Sequence, residues 1–476
     1  MGIRVARYQQ LADQLQMGIE QGTYAPGDRL PSVRTLQRRL NLSVTTISSA
    51  YAELEKRGLA EAKPRSGYFA RSPLQQPEPH PNAVDMEPVK VSQGPMARAV
   101  ESAAMSDALV PLAGAILDDG LLPLEDIRRA VRTVMREDAT SAMAYGPVAG
   151  SMKLRRALAQ QPWGFPQPPG VGEILLTQGG MEAISLTLRA ITRPGDAVVV
   201  ESPSFYGFLQ MIEKLGLYAM EVNTDPQTGM QPDDLAQALE DPRVRAVLSI
   251  PTFHNPMGAT IPEENRQAIV ELITQHQVPL IEDNIYGDLH YGSTHPTPMK
   301  AWDKEGWVIY VSSFSKVLGP GLRVGLCIPG PRYYQKITSL KMATTLTSSP
   351  LTQLTVAQLL NNGAYSRQVR HLRKKLSSNV QRFRHGVASY FPQETRMTQP
   401  KGGFTLWVEL PEKVDGVALY EQAFSEGIAI VPGAVCSPSG RYRNCIRLSA
   451  GTLWSRRVEK AIIRLGEMCL QQMQES

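Results

Sequence analysis

"SSFSKVLGPGLRVG", Ser312–Gly325, sets one lysine, Lys316, among hydroxyls and glycines, with Arg323 seven residues on. The apolar run Trp307–Val311 comes just before it and reads as a buried strand. A lysine after a strand is an ordinary surface charge in most proteins. Here four other apolar runs end in equally pointed segments. "EILLT" (173–177) leads to Gln178-Gly179-Gly180-Met181, and "DAVVV" (196–200) leads to Glu201 and Phe205. "AVLSI" (246–250) leads to Asn255-Pro256-Met257-Gly258, and "VPLIE" (278–282) leads to Asp283 and Tyr286. In open α/β sheets, ligands sit at the carboxyl ends of the strands. From about Ala97 onward such runs alternate with helical patterns, which predicts an α/β body with a mostly parallel sheet.

Each of these residues has a physical task if the ligand is pyridoxal 5'-phosphate. Lys316 is then the covalent anchor on its aldehyde. An amine adds to a carbonyl only when neutral, so cationic Arg323 nearby would help by lowering the lysine's pKa. Asp283 would keep the pyridine nitrogen protonated, making the ring an electron sink. Asn255 and Tyr286 suit the ring's phenolic oxygen. Gly179 and Gly180 open the helical stretch "MEAISLTL", whose first residue is Met181, and a helix N-terminus favours phosphate. Ser313, Ser315 and Arg323 add hydroxyls and a guanidinium fork for the same phosphate. Phe205 is placed to stack on the ring. Taken singly, a Gly-Gly pair is a turn, Asp-x-x-Tyr a loop and a phenylalanine a core residue. Their joint order carries the reading.

The 476 residues suggest two or three domains. The net charge of +5 is unevenly spread: residues 1–72 hold eleven Lys/Arg against six Asp/Glu, which is the whole excess. That points to a polyanion partner for this segment. Four cysteines form no CxxC pair and no zinc spacing, so reduced thiols, a cytoplasmic location and no metal site are expected. The start "MGIRVARYQQ" lacks the apolar stretch of a signal peptide, and no run of about 18 apolar residues exists to span a membrane. "SPLQQPEPHPNAVDMEP" (72–88) has five prolines and reads as a linker. Some 20 extended residues of this kind reach roughly 60 Å.

Within the head, Leu11, Leu15 and Ile19 recur at helical spacing. Val33, Leu36 and Leu40 mark a second helix with Ser32 as N-cap, and Val44, Ile47, Tyr51 and Leu54 a third with Ser43 as N-cap. The other face of the third carries Thr45, Thr46, Ser48 and Ser49, short donors that let a helix press into a major groove. "LAEAKPRSGYFA" reads as a hairpin whose tip holds Lys63, Arg65 and Gly67. Helices plus a basic hairpin make a winged helix-turn-helix. The same pattern also fits a helical protein-interaction module with a solvated basic face.

"GTYAPGDRLPSVRTLQRRLNLSVTTISSAYAELEKRGL" (22–59) resembles the GntR family of bacterial regulators. The resemblance implies DNA contacts from Arg34, Ser43, Thr45, Thr46 and Ser48, with Arg65 and Gly67 in the wing. Ser48 stands where many members carry a longer polar residue. "YGPVAGSMKLRRAL", "TQGGMEAI", "HNPMG", "EDNIYGDL", "SSFSKVLGPGLRVG" and "IRLSAG" resemble the class I aminotransferases of the fold-type I pyridoxal phosphate enzymes. This second resemblance implies the cofactor bond on Lys316, a substrate carboxylate on Arg447, and Tyr145 reaching a partner subunit's cofactor phosphate in a homodimer. Phe205 and Met257 stand where close relatives have tyrosine and threonine.

Head, linker and body together resemble the MocR family. The expected domains are a winged helix-turn-helix at 1–72, a proline-rich linker at 73–105 and the body at 106–476. Its small subdomain is expected at about 330–476 plus the N-terminal segment. The family implies a regulator that binds double-stranded DNA and pyridoxal phosphate and answers an amino acid or amine effector. A working aminotransferase with an appended head, and a body serving only as a dimerisation scaffold, are the alternatives.

Overall fold

The computed structural model describes residues 6–20, 23–25, 27–63, 66–71, 77–81 and 83–475. The head runs α1 (Arg7–Glu20), α2 (Val33–Leu40), α3 (Val44–Lys56), then an antiparallel hairpin of β1 (Ala60–Lys63) and β2 (Gly67–Ala70). Leu11, Leu15, Ile19, Leu36, Ile47, Tyr51 and Leu54 close a core of their own, separate from that of the body. The hydroxyls of Ser32 and Ser43 accept from the backbone N–H groups of Thr35 and Thr46, capping α2 and α3 as their spacing predicts. Tyr51 stacks on Tyr68 at 4.1 Å and ties α3 to the hairpin. Val44 departs from the helical spacing and is exposed. It is the first residue of α3, and helical side chains lean toward the N-terminus, so it projects past the end of the core.

The body is built on one large sheet. Its strand order is Val89–Lys90, Tyr218–Asp225, Ala197–Ser202, Val244–Ser249, Leu280–Asp283, Val308–Ser313, Gly325–Ile328, Leu175–Thr177. The neighbours from Tyr218–Asp225 to Val308–Ser313 are parallel. Gly325–Ile328 runs antiparallel to both its neighbours. All six residues of Val308–Ser313 are buried, the apolar Val308–Val311 as a strand of a sheet covered on both faces requires, with Ser312 and Ser313 at its carboxyl end. A second, antiparallel sheet of four short strands joins Thr405–Glu409 to Cys445–Ser449 and forms the small unit. The 27-residue helix Ala364–Tyr390 leads into it.

Two expected boundaries shift. Within 73–105, the structure takes Val89–Lys90 into the edge of the main sheet and the helix Gly94–Ala104 into the body core through Val100 and Ala103. Upstream, the His80 backbone N–H donates to Glu409 at 2.7 Å and the Val84 N–H to Asn223 at 2.8 Å, so this stretch lies against the body. Within 330–476, the helices Gly330–Thr344 and Pro350–Asn361 pack on the large unit, the first against Gly180–Ile191 and the second against Leu124–Glu137 and Met152–Ala159. Among the described residues no helix is long and apolar enough to cross a membrane.

Candidate functional site

The parallel pairing that sets Asp283 opposite Val311 brings the ends of two strands side by side, with Lys316 in the loop that follows. Antiparallel pairing then aligns Ser313, Gly325 and Thr177 across three strands, which draws Gly179 and Arg323 to the same rim. Lys316 Nζ lies 5.8 Å from the Tyr286 ring centroid and donates to the Ala115 carbonyl at 2.6 Å. Its pKa is pushed down to about 8, first by burial and then by Arg447, with Asp283 opposing and Arg323 contributing least. Burial and Arg447 therefore outrank Arg323, the neighbour singled out by the sequence. Asp283 is buried and pushed up to about 7, because a carboxylate away from water loses hydration that Lys316 and the Ile285 N–H only partly replace. Among the described residues no basic side chain is within ion-pair distance of it.

Gly179 precedes the helix Gly180–Ile191 with φ +86°, and a Cβ on it would stand 2.6 Å from Arg323 Nη2. Arg323, itself left-handed at φ +50°, donates from Nη2 to the Gln178 carbonyl at 2.8 Å. Ser313 is buried and Ser315 half-buried beside it, its N–H reaching Ser313 Oγ at 3.3 Å. Met181 is on the helix's first turn and is 39% exposed.

Arg447 is 1% exposed, so it is no surface arginine. Its Nη1 donates to Asn255 Oδ1 at 3.0 Å, its Nη2 to the Ala113 carbonyl, and its Nε has no partner. Tyr286 is fully buried against Phe404, and burial pushes its hydroxyl far up. Phe205 caps the helix Tyr206–Lys214 and packs on Tyr206 at 5.0 Å. Tyr145 sits apart, 86% exposed, with Met143 and Met152 exposed on the same stretch.

Sequence reasoning missed the segment Ala113–Ala115, whose carbonyls meet both Arg447 and Lys316. It also missed the pairing of Glu201 with His254, buried with Oε2 and Nε2 3.3 Å apart, although Glu201 ends one apolar run and His254 opens "HNPMG". Glu201 further accepts from Ser249 Oγ and the Ile250 N–H, fixing the loop that ends in Asn255.

In the head, Arg34 and Thr45 are exposed, Thr46 and Ser48 half-buried. Ser43 Oγ lies 2.7 Å from Thr45 Oγ1 and 2.8 Å from Thr46 Oγ1, so three of the expected donors are first engaged with one another at the cap. Gly67 takes φ +100° at the exposed end of the hairpin. Arg65 lies outside the described residues. The opposite end of α3 rests on the helix Ala364–Tyr390, where a Cβ on Gly58 would come within 2.8 Å of Gln381 Oε1. The 13 residues of α3 separate these two ends by about 18 Å at 1.5 Å per residue.

Fold and site together define a class: an aminotransferase-type body carrying a winged helix-turn-helix head. Residues 112–465 match the family "Aminotransferase class I and II", and residues 7–69 match "Bacterial regulatory proteins, gntR family". The chain belongs to both families and is a GntR-family transcriptional regulator with an aminotransferase-like domain, the MocR-type architecture. It is 35% identical to the uncharacterized HTH-type transcriptional regulator YjiR of Escherichia coli over 99% of this chain and 100% of that one. Among solved structures, the multiple substrate aminotransferase of Thermococcus profundus matches with TM-score 0.74 and 26% identity, over 80% of this chain and 96% of that one. The alpha-aminoadipate aminotransferase LysN of Thermus thermophilus, complexed with N-(5'-phosphopyridoxyl)-L-leucine, matches with TM-score 0.74 and 29% identity, over 82% and 97%.

Proposed function

We propose that the body holds pyridoxal 5'-phosphate and that an amino acid or amine engaging it alters how residues 1–72 bind double-stranded DNA. The observation carrying this is the convergence of Lys316, Asp283 and Arg447, with Lys316 and Arg447 on the neighbouring carbonyls of Ala115 and Ala113 and Asp283 at the adjoining strand end, in a chain that also carries a winged helix-turn-helix. The residues fit the cofactor. Asp283 is a buried carboxylate in want of a cation, which a pyridinium nitrogen supplies. Gly179 has no room for a Cβ beside Arg323, and the glycine-flanked helix start offers free N–H groups to a phosphate. When bound, the cofactor supplies an electrophilic aldehyde and an electron-sink ring. Lys316 holds it and, at about pH 8, has half its amines neutral. Asp283 keeps the ring nitrogen protonated, while Asn255 and Tyr286 face the phenolic oxygen. Gly179, Gly180, Ser313, Ser315 and Arg323 take the phosphate, with Met181 beside it, and Phe205 covers the ring. Arg447, with Nε unpaired, receives a carboxylate as a fork.

On the DNA side, Arg34, Ser43, Thr45, Thr46 and Ser48 face the duplex, Arg65 and Gly67 form the wing, and exposed Val44 adds an apolar contact suited to a thymine methyl. The proline-rich stretch ahead of Val89 joins this unit to the body, and the protein acts as a homodimer in which Tyr145 completes the partner's site. A tenfold change in operator affinity requires about 1.4 kcal/mol of coupling, within the common range of about 1–3 kcal/mol. The test is operator affinity against amino acid concentration in wild type and Lys316→Ala. Response in wild type and none in Lys316→Ala is expected. Unchanged operator affinity across amino acids that alter the cofactor's visible spectrum removes the sensing reading. The intact set Lys316, Asp283 and Arg447 also favours a second reading, transamination of amino acids against 2-oxoacids. Multiple turnovers in that assay, with no DNA response, would select it.

A further inference from the structure

A second cleft, of about 560 Å³, opens on the large unit away from Lys316. Its wall is the loop Gln161–Pro166, its floor the loop after Tyr286, and its far side the helix Ala364–Tyr390. None of the residues assigned to the cofactor lines it. Three aromatic side chains, Trp163, Phe165 and Tyr365, give it planar apolar walls. Trp163 packs at 5.8 Å on Tyr365, which lies 5.4 Å from Phe314, two residues before Lys316. That aromatic trio, closed by Trp163 on Phe314 at 6.0 Å, connects this cleft to the segment that carries Lys316.

The polar groups are arranged with equal definition. Asp288 accepts from the Tyr365 hydroxyl, and His295 Nε2 stands 3.5 Å from it. Those partners occupy its charge. His290, buried and pushed down to about 4 by burial and by Arg373, is neutral and packs at 5.6 Å on the ring of His295. Arg373 donates from Nε to the Asp288 carbonyl at 2.6 Å, and no carboxylate lies within ion-pair distance of it among the described residues. Its two terminal nitrogens therefore keep their donors for a ligand. Arg370, one turn earlier on the same helix face, lines the cleft and is exposed. Two guanidinium groups face one carboxylate that is already partnered, so the cleft carries a net positive charge. Among the described residues no group of three His, Cys, Asp or Glu side chains is arranged to hold a metal ion.

We propose that this cleft is a second ligand site, which takes a small aromatic carboxylate with its ring between Trp163, Phe165 and Tyr365 and its carboxylate on Arg373 and Arg370. A guanidinium fork matches a carboxylate with two parallel hydrogen bonds. The volume falls inside the range of about 300–1,000 Å³ typical of small-molecule sites, where apolar walls surround a few converging polar groups. Because Tyr365 lines the cleft and packs on Phe314, an occupant presses through that ring on the segment that carries Lys316. The site stands independently of whether the main cleft senses or catalyses.

The experiment is a fluorine NMR titration of the full chain with para-fluorobenzoate, with benzylamine and inorganic phosphate as competitors. Saturable binding is expected, and neither competitor should displace the probe at equal concentration, since each supplies only half of the required chemistry. Arg373→Gln should weaken binding at least tenfold and Arg370→Gln about threefold, whereas Arg447→Gln in the main cleft should leave affinity unchanged. Arg370 is exposed and makes no hydrogen bond to the fold among the described residues, so Arg370→Gln decides the matter if Arg373→Gln fails to fold. Absence of saturable binding to wild type overturns the proposal. So does loss of binding in Arg447→Gln with retention in Arg373→Gln, which returns the probe to the main cleft, and so does unchanged affinity in Arg370→Gln.

Discussion

Two adjacent glycines should respond oppositely to the same substitution. Gly179 has φ +86° and ψ 172°, a region essentially closed to residues with a Cβ. Alanine there costs about 1–3 kcal/mol in backbone strain. Its Cβ would also stand 2.6 Å from Arg323 Nη2 and 3.1 Å from Cζ. Arg323 must then swing away from the Gln178 carbonyl, which it meets at 2.8 Å. A hydrogen bond from a charged group contributes about 1.5–3 kcal/mol, discounted here to about 1 kcal/mol because Arg323 is exposed. Gly179→Ala should therefore lower the body's stability by about 2–4 kcal/mol and, by displacing Arg323, weaken pyridoxal phosphate binding about tenfold. At Gly180 a Cβ meets only Val311 Cγ1 at 3.7 Å, an ordinary contact, and φ is not positive. Gly180→Ala should be neutral, or stabilising by up to about 1 kcal/mol from helix propensity. Urea denaturation followed by fluorescence, together with cofactor titration, measures both quantities. Equal effects of the two substitutions would refute the assignment of Gly179 and Arg323 to a strained phosphate cradle.

Borohydride treatment of protein loaded with pyridoxal phosphate should fix the adduct on Lys316 alone, and mass spectrometry of Lys316→Ala should show none; an unmodified Lys316 refutes the site. With the lysine's pKa at about 8, the rate of this loading should rise with pH through that value, since the neutral amine reacts. Asp283 is the group holding that pKa up, so Asp283→Asn should move the midpoint to lower pH, and an upward move refutes the electrostatic account. Arg34→Ala should weaken operator binding and reduce the log–log salt slope by about one. Anisotropy titrations at several salt concentrations check this, and an unchanged slope removes Arg34 from the phosphate contacts. Light scattering should give a dimer, and mixed Lys316→Ala and Tyr145→Phe subunits should regain cofactor affinity in about half of the hybrid's sites; a monomer at micromolar concentration excludes Tyr145 from a partner's site.

The features legible in the sequence are those fixed by residues a few positions apart. Ser32 and Ser43 cap their helices because a hydroxyl one residue before a helix meets an N–H three residues on, whatever lies elsewhere in the chain. The five strand ends were legible because an apolar run bounded by polar, glycine-rich segments has few other uses, and Lys316 and Asp283 could be named from that order alone. What surrounds them was decided only by packing. The Ala115 carbonyl on Lys316 comes from 201 residues away, and the Ala113 carbonyl on Arg447 from 334. A backbone acceptor carries no side-chain signature, so nothing in "PLAGAI" announces it. The same holds for Arg447, whose sequence context allows a surface arginine, and for the helices Gly330–Thr344 and Pro350–Asn361, whose apolar faces suit either unit until the large unit's helices are in place. Local periodicity chooses which face of an element is buried, but the partner that buries it, and the pKa shift that follows from that burial, exist only in the folded chain.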